Sequence, residues 1–207
     1  MKIAVGGMIA AGKSNLVHRL GEALDMPIMT EYREDDDVFS TLLQWLYDGK
    51  PNTEMLLQIY FLHDAWLRQH EYGTHFILDR DIIEHWLFAQ ENLKPYPEIM
   101  TMYNGIFHNY MGQINKPDLY IILEVDWKHF KERIFNRQRS QEVDNFENNT
   151  AYFSSLLNNY VQRMRAQCVI FDIPYVVINT NDLTEEEVFE TVMKKLKPIL
   201  KKQNKEV

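Results

Sequence analysis

The chain is short of cysteine, of long apolar runs and of positive charge, and each shortage removes a class of protein. Its single cysteine, Cys168, has no partner for an internal disulfide, and no Cys/His set stands at zinc-ligand spacing. Neither a disulfide framework nor a structural zinc is therefore expected, and Cys168 reads as a small core residue. No apolar run approaches the roughly 18 to 20 residues that a membrane span requires. Met1-Lys2-Ile3 leads directly into strand-like sequence rather than a signal peptide, so the expectation is a cytoplasmic protein with no membrane partner. With 22 Lys+Arg against 30 Asp+Glu, the formal net charge is −8. Affinity for a nucleic-acid backbone comes from a basic face that neutralises many phosphates, so no nucleic-acid partner is expected either. Repeats, low-complexity tracts and interdomain linkers are also missing.

What remains is a 207-residue chain, 45% hydrophobic and 25% charged, which suits one domain spanning 1–207 with a real core. Short, continuously apolar segments read as strands at 3–6, 27–30, 75–78, 119–124 and 175–179, and stretches of helical period lie at 13–24, 38–48, 52–71, 82–92, 97–114, 127–139, 150–167 and 185–201. Strands such as Phe76-Ile77-Leu78 lack alternation, as a sheet buried on both faces requires. The fold class is α/β, a three-layer sandwich around a five-stranded parallel sheet, and ligands should bind at the carboxyl ends of its strands.

The most specific feature lies at the first of those ends. Residues Gly7-Met8-Ile9-Ala10-Ala11-Gly12-Lys13-Ser14 match the phosphate-cradling pattern G-x-x-x-x-G-K-[ST] without a break, between strand-like Lys2 to Gly6 and helix-like Asn15 to Leu20. In that context successive backbone N–H groups and the positive end of the helix dipole face a polyphosphate, because first-turn donors have no intrahelical partner. Gly7, Ala10, Ala11, Gly12, Lys13 and Ser14 are the candidate ATP-binding set, with Lys13 reaching the β- and γ-phosphates and Ser14 offering a hydroxyl to Mg²⁺.

Other candidates carry competing readings. Asp79 closes Phe76-Ile77-Leu78 as a carboxylate near the metal and Arg80 follows it, yet Glu124 and Asp126 form a rival pair after another strand, and an Asp-Arg dipeptide at a helix start is also a cap. Glu31 ends the second strand, where a carboxylate can accept a hydroxyl proton, or it simply begins the acidic loop 34–37. Lys131, Arg133, Arg137 and Arg139 crowd together with only Glu132 opposing them, either to close over phosphates or to compensate a helix dipole. Gln58 interrupts the apolar run Met55 to Leu62, as a base reader or as a core amide satisfied by backbone.

Taken together these residues resemble the deoxynucleoside kinase family, from Met1 to about Asn181. The pattern is the glycine loop Gly7 to Ser14, a Glu after the second strand (Glu31), a Tyr eleven residues before a Gln (Tyr47, Gln58), an acidic-Arg dipeptide (Asp79-Arg80), and an arginine lid R-I-x-x-R-x-R-x-x-E running from Arg133 through Arg137 and Arg139 to Glu142. The phrasing around Gln58 and Asp79 is closest to bacterial deoxyadenosine and deoxyguanosine kinases. The resemblance implies ATP- and Mg²⁺-dependent phosphorylation of a deoxynucleoside, with a lean to purines, on a P-loop kinase fold. Glu31 is then the general base for the 5′-hydroxyl, Lys13 and Arg80 with the lid arginines Arg133, Arg137 and Arg139 stabilise the moving phosphoryl, and Ser14 and Asp79 serve the metal. Tyr47 and Glu142 hold the sugar 3′-hydroxyl, Gln58 and His85 face the base, the lid covers about 133–145, and a homodimer is usual. Two departures stand out, since the common Arg seven residues after the Gln and the common Asp six after the dipeptide's acid are here Ala65 and His85; in addition, the third residue after Leu78, usually a small hydroxyl residue, is Asp81. A nucleoside monophosphate kinase and a catalytically silent nucleotide-binding regulator are the alternatives.

Overall fold

Continuously apolar runs form the centre of the molecule because both faces of its sheet are covered. The computed structural model describes residues 1–31, 36–48, 50–137, 146, 147 and 149–203. Five parallel strands, β1 (Lys2–Gly7), β2 (Ile28–Met29), β3 (Phe76–Asp79), β4 (Leu119–Glu124) and β5 (Tyr175–Asn179), pair in the order β2-β3-β1-β4-β5. Ile3, Ala4, Val5, Ile77, Leu78, Ile121 and Ile122 are fully buried. β1 is central, registered with Val5 opposite Asp79 on one side and Ile121 on the other. The strands that follow it diverge to opposite sides, so a crevice opens above its carboxyl end, where the glycine loop lies.

Eight described helices complete the three layers: α1 (Lys13–Leu24), α2 (Asp37–Tyr47), α3 (Thr53–Tyr72), α4 (Ile82–Asn92), α5 (Pro97–Met111), α6 (Trp127–Arg137), α7 (Thr150–Ile170) and α8 (Glu185–Gln203). α1 packs against β3 and α8, while α4 packs against α3, α5 and α7. Among the described residues no helix is long and apolar enough to cross a membrane. Cys168 is buried in the core, as its isolation suggests.

The elements agree with the sequence reading, and the differences sit at their ends. β2 keeps only two of the four expected residues: Pro27 has no N–H to give a ladder, and the Thr30 carbonyl bonds Arg68 instead. α5 stops at Met111 rather than 114, and α7 extends to Ile170 rather than 167. α8 continues through Pro198, whose ring removes one backbone donor without ending the helix.

One glycine on β1 is required by contact. A Cβ on Gly6 would stand 2.7 Å from a Tyr120 ring carbon and 2.9 Å from the Tyr160 hydroxyl, both rigid groups. Gly6→Ala should therefore destabilise by about 1–3 kcal/mol through overpacking, read as a lower urea midpoint with an unchanged m-value.

Candidate active site

The turn from β1 into α1 has a shape that few sequences adopt. Ala10 and Gly12 both have positive φ, 60° and 91°, and the Ala11 N–H donates to the Met8 carbonyl at 3.0 Å. Glycine carries the larger excursion without a Cβ penalty. Gly12 caps α1 with no side-chain hydrogen bond, so the first-turn donors face the crevice. The crevice is a cleft of about 1000 Å³ whose walls include Ala10, Gly12, Lys13, Ser14, Glu31 and Arg80. Lys13 is buried in it, and burial and then the neighbouring Arg80 lower its pKa against the pull of Glu31, Glu84 and Asp79. An added polyphosphate would restore the favourable environment of that ammonium.

The carboxyl end of β3 supplies the next groups. Ser14 Oγ donates to Asp79 Oδ2 at 2.7 Å, while Asp79 Oδ1 is buried with no hydrogen-bond partner among the described residues. This hydroxyl–carboxylate pair with a spare oxygen fits a hard divalent cation such as Mg²⁺. The rival carboxylates are otherwise engaged: Asp126 accepts the His129 N–H at the start of α6, and Glu124 Oε2 accepts from the Asn179 side-chain amide at 3.5 Å. Nor does the Asp79-Arg80 dipeptide cap α4. Asp81 does so through the Ile83 N–H, and burial raises its pKa although Lys2 draws it down.

Arg80 is buried and has φ 74°, a left-handed conformation that is strained for a bulky residue. Two carboxylates surround its guanidinium: Nε lies 2.9 Å from Glu31 Oε1 and Nη1 lies 2.9 Å from Glu84 Oε1. These contacts are close in distance but poorly directed as hydrogen bonds, since neither nitrogen has an aligned acceptor. They act as charge pairs more than as oriented bonds. Burial raises the Glu31 pKa, but Arg80 and then Lys13 outweigh it, so the net direction is downward and Glu31 is an ionised acceptor.

Four contributors were not anticipated from sequence. Glu84 accepts from the Tyr160 hydroxyl at 2.7 Å and from the Gly7 N–H at 3.1 Å, tying Arg80 to the glycine loop. Arg68 pairs with Asp64 at 2.7 Å and donates to the Thr30 and Glu31 carbonyls at 2.7 and 2.8 Å. The available signal was spacing: Arg80/Glu84 and Asp64/Arg68 are both opposite charges four apart, the first pair across the turn from β3 into α4 and the second within α3.

The remaining expected residues are placed unevenly. Gln58 is buried, and among the described residues no hydrogen bond meets its amide, which disfavours the core-amide reading. His85 is buried and stacks on Phe61 with ring centroids 5.3 Å apart. Phe61 lines the cleft, whereas Gln58 and His85 do not form its walls. Ala65 is buried on the same helix. Arg133 lines the cleft but donates to the Thr180 hydroxyl at 2.9 Å and to the Thr180 carbonyl, which anchors it to the loop after β5. The side chains of Tyr47 and Arg137, and all of Arg139 and Glu142, lie outside the described residues.

Comparison with known proteins decides what this constellation belongs to. The deoxynucleoside kinase family model matches residues 3–201. The chain belongs to the deoxynucleoside kinase family. It is 30% identical to a deoxyadenosine kinase of Dictyostelium discoideum, over 93% of this chain and 77% of that one. An uncharacterised protein of Mycoplasma pneumoniae is 33% identical over 98% of this chain and 90% of its own. Among solved structures, deoxyadenosine kinase from Mycoplasma mycoides with dCMP and dCDP bound superposes with a TM-score of 0.79 at 27% identity, covering 96% of this chain and 100% of that one. The same enzyme has also been solved with dATP.

In this kinase His85 stays neutral. Burial first, and then Arg80, pull its pKa down to about 3. Below the ordinary imidazole value of about 6.5 the unfolded chain therefore binds a proton that the folded chain refuses, and stability falls by up to about 1.4 kcal/mol per pH unit. His85→Gln should flatten the loss of urea midpoint between pH 6.5 and 5. An equal slope in both proteins would assign the acid sensitivity to another group.

Proposed function

We propose that this ATP-dependent deoxynucleoside kinase acts on deoxynucleosides whose base carries an amino group beside a ring nitrogen, with deoxyadenosine foremost and deoxycytidine accepted. The observation that carries the catalytic part is the ionised Glu31 held 2.9 Å from Arg80 at the cleft that Lys13 also lines. The 5′-hydroxyl oxygen forms a bond to the γ-phosphorus as the bridging P–O bond to the β-phosphate breaks. That electron pair leaves with ADP, and the hydroxyl proton passes to Glu31. Lys13 holds the β- and γ-phosphates, and Arg80 meets the charge on the transferring group. Ser14 and Asp79 would hold Mg²⁺, which when bound neutralises part of the polyphosphate charge. Arg137 and Arg139 close the lid over the phosphates, Arg133 anchors its base, and Tyr47 and Glu142 hold the 3′-hydroxyl. These lid and sugar roles rest on the family pattern alone.

The base preference rests on Gln58, Ala65 and His85. An amide offers an acceptor and a donor side by side, which matches an exocyclic amine next to a ring nitrogen. Neither Ala65 nor the neutral His85 supplies a cation, so the adjacent oxo and N7 acceptors of guanine gain no charge-assisted bond. The adenine and cytosine nucleotides bound to the Mycoplasma mycoides enzyme share that amino edge. A monophosphate kinase is disfavoured, since a phosphate acceptor needs no base such as Glu31. A homodimer, by analogy with the family, and a cytoplasmic location complete the proposal.

Steady-state rates with ATP over dA, dG, dC and dT should place dA ahead of dG by about tenfold or more, and Ala65→Arg/His85→Asp should narrow that gap. No phosphorylation of any nucleoside, beside turnover of a monophosphate, refutes the assignment. Glu31→Gln should lower kcat by about 10²–10⁴-fold in a folded protein. Because Arg80 depresses the Glu31 pKa, the acid limb of kcat/KM should lie below the ordinary glutamate value and move upward in Arg80→Gln.

A further inference from the structure

We infer that Arg68 is a positioning residue for Glu31, holding the general base by its main chain. This rests on the proposed role of Glu31 as acceptor of the 5′-hydroxyl proton.

The need for such a residue follows from the sheet. β2 is a two-residue edge strand that pairs only with β3, and its last registered pair is Met29 with Leu78. Thr30 and Glu31 therefore lie beyond the ladder, and their carbonyls need other donors. Arg68 supplies them: Nη1 reaches the Thr30 oxygen at 2.7 Å and Nη2 the Glu31 oxygen at 2.8 Å, while Nε meets Asp64 Oδ2 at 2.7 Å. Only 2% of Arg68 is exposed, so its charge must be paired, and Asp64 one turn earlier on α3 supplies the counter-charge. The rigid fork is what lets one side chain span two consecutive carbonyls, and a lysine ammonium has no such geometry.

Glu31 is thus gripped at both ends, its carboxylate by Arg80 and its carbonyl by Arg68. The two grips differ in kind. The Arg80 pair weakens when the carboxylate takes a proton or when Arg80 turns toward the phosphoryl group. The bond to the main-chain carbonyl depends on neither event, so Arg68 keeps Glu31 in place through the transfer.

Arg68→Met, Arg68→Lys and Asp64→Asn/Arg68→Met should be assayed alone and combined with Glu31→Gln, with circular dichroism and melting as folding controls. The expected result is a kcat lowered by about 10–100-fold, as for a misplacement near 1 Å, with KM for ATP and deoxynucleoside nearly unchanged. In the Glu31→Gln background the Arg68 substitutions should cost nothing further. Normal kcat, a change confined to KM, or the same loss persisting in Glu31→Gln overturns the inference. If Arg68→Met does not fold, Arg68→Lys decides: it keeps the charge opposite Asp64, and a normal kcat there is equally fatal. Near-normal turnover by Glu31→Gln alone overturns the role of Glu31 and this inference with it. A slow Glu31→Gln beside a normal Arg68→Lys overturns this inference only.

Discussion

A guanidinium buried between two carboxylates organises this molecule. Arg80 sits at the carboxyl end of β3 with Glu31 on one side and Glu84 on the other, each at 2.9 Å. Removing a charge of this kind from water is costly unless it is paired, and removing one partner of such a set is costlier than never having built it. The strained backbone of Arg80, at φ 74°, persists only because the surroundings over-determine it. Through Glu84 the same group reaches the Gly7 amide and the Tyr160 hydroxyl, so β1, β3, α4 and α7 share one polar node within an otherwise apolar centre.

The whole chain carries a net charge of −8, and the cleft sets Lys13, Arg80 and Arg133, with the open first-turn donors of α1, beside Glu31, Asp79 and Glu185. Net charge governs encounter with large polyanions, whereas a polyphosphate responds to the donors within a few ångströms. An acidic protein can thereby hold a small polyphosphate through cations and backbone donors placed next to it.

The sheet and the glycine loop were legible in sequence because they depend on contiguous residues. Apolar runs such as Leu119 to Leu123 and the spacing of Gly7 through Ser14 carry their own periodicity. The end of β2 was not, because the fate of the Thr30 carbonyl is decided by Arg68, 38 positions away. For the same reason nothing in the sequence singled out Glu84, whose partners Gly7 and Tyr160 are each more than 70 residues distant. Asp79 could be separated from Glu124 and Asp126 only in three dimensions, where Ser14 touches the first and α6 is capped by the last. Gln58 shows the opposite case: a lone amide in an apolar run announced a polar requirement, and the fold leaves it without a partner among the described residues.

α3 carries Gln58 near its start and Arg68 toward its end, on one straight element of 20 residues. Ten residues of helix span about 15 Å, so under the roles proposed for Gln58 and Glu31 the helix is a fixed ruler between the nucleobase and the oxygen to be phosphorylated. Sliding or tilting it to fit a larger base would displace Glu31, the proposed general base, with it. Changes in base preference are then confined to side chains that leave the ruler in place, and Ala65 and His85 are positions of that type. On this view base preference is tuned at such side chains, because the backbone that measures the nucleoside cannot move without stopping the reaction.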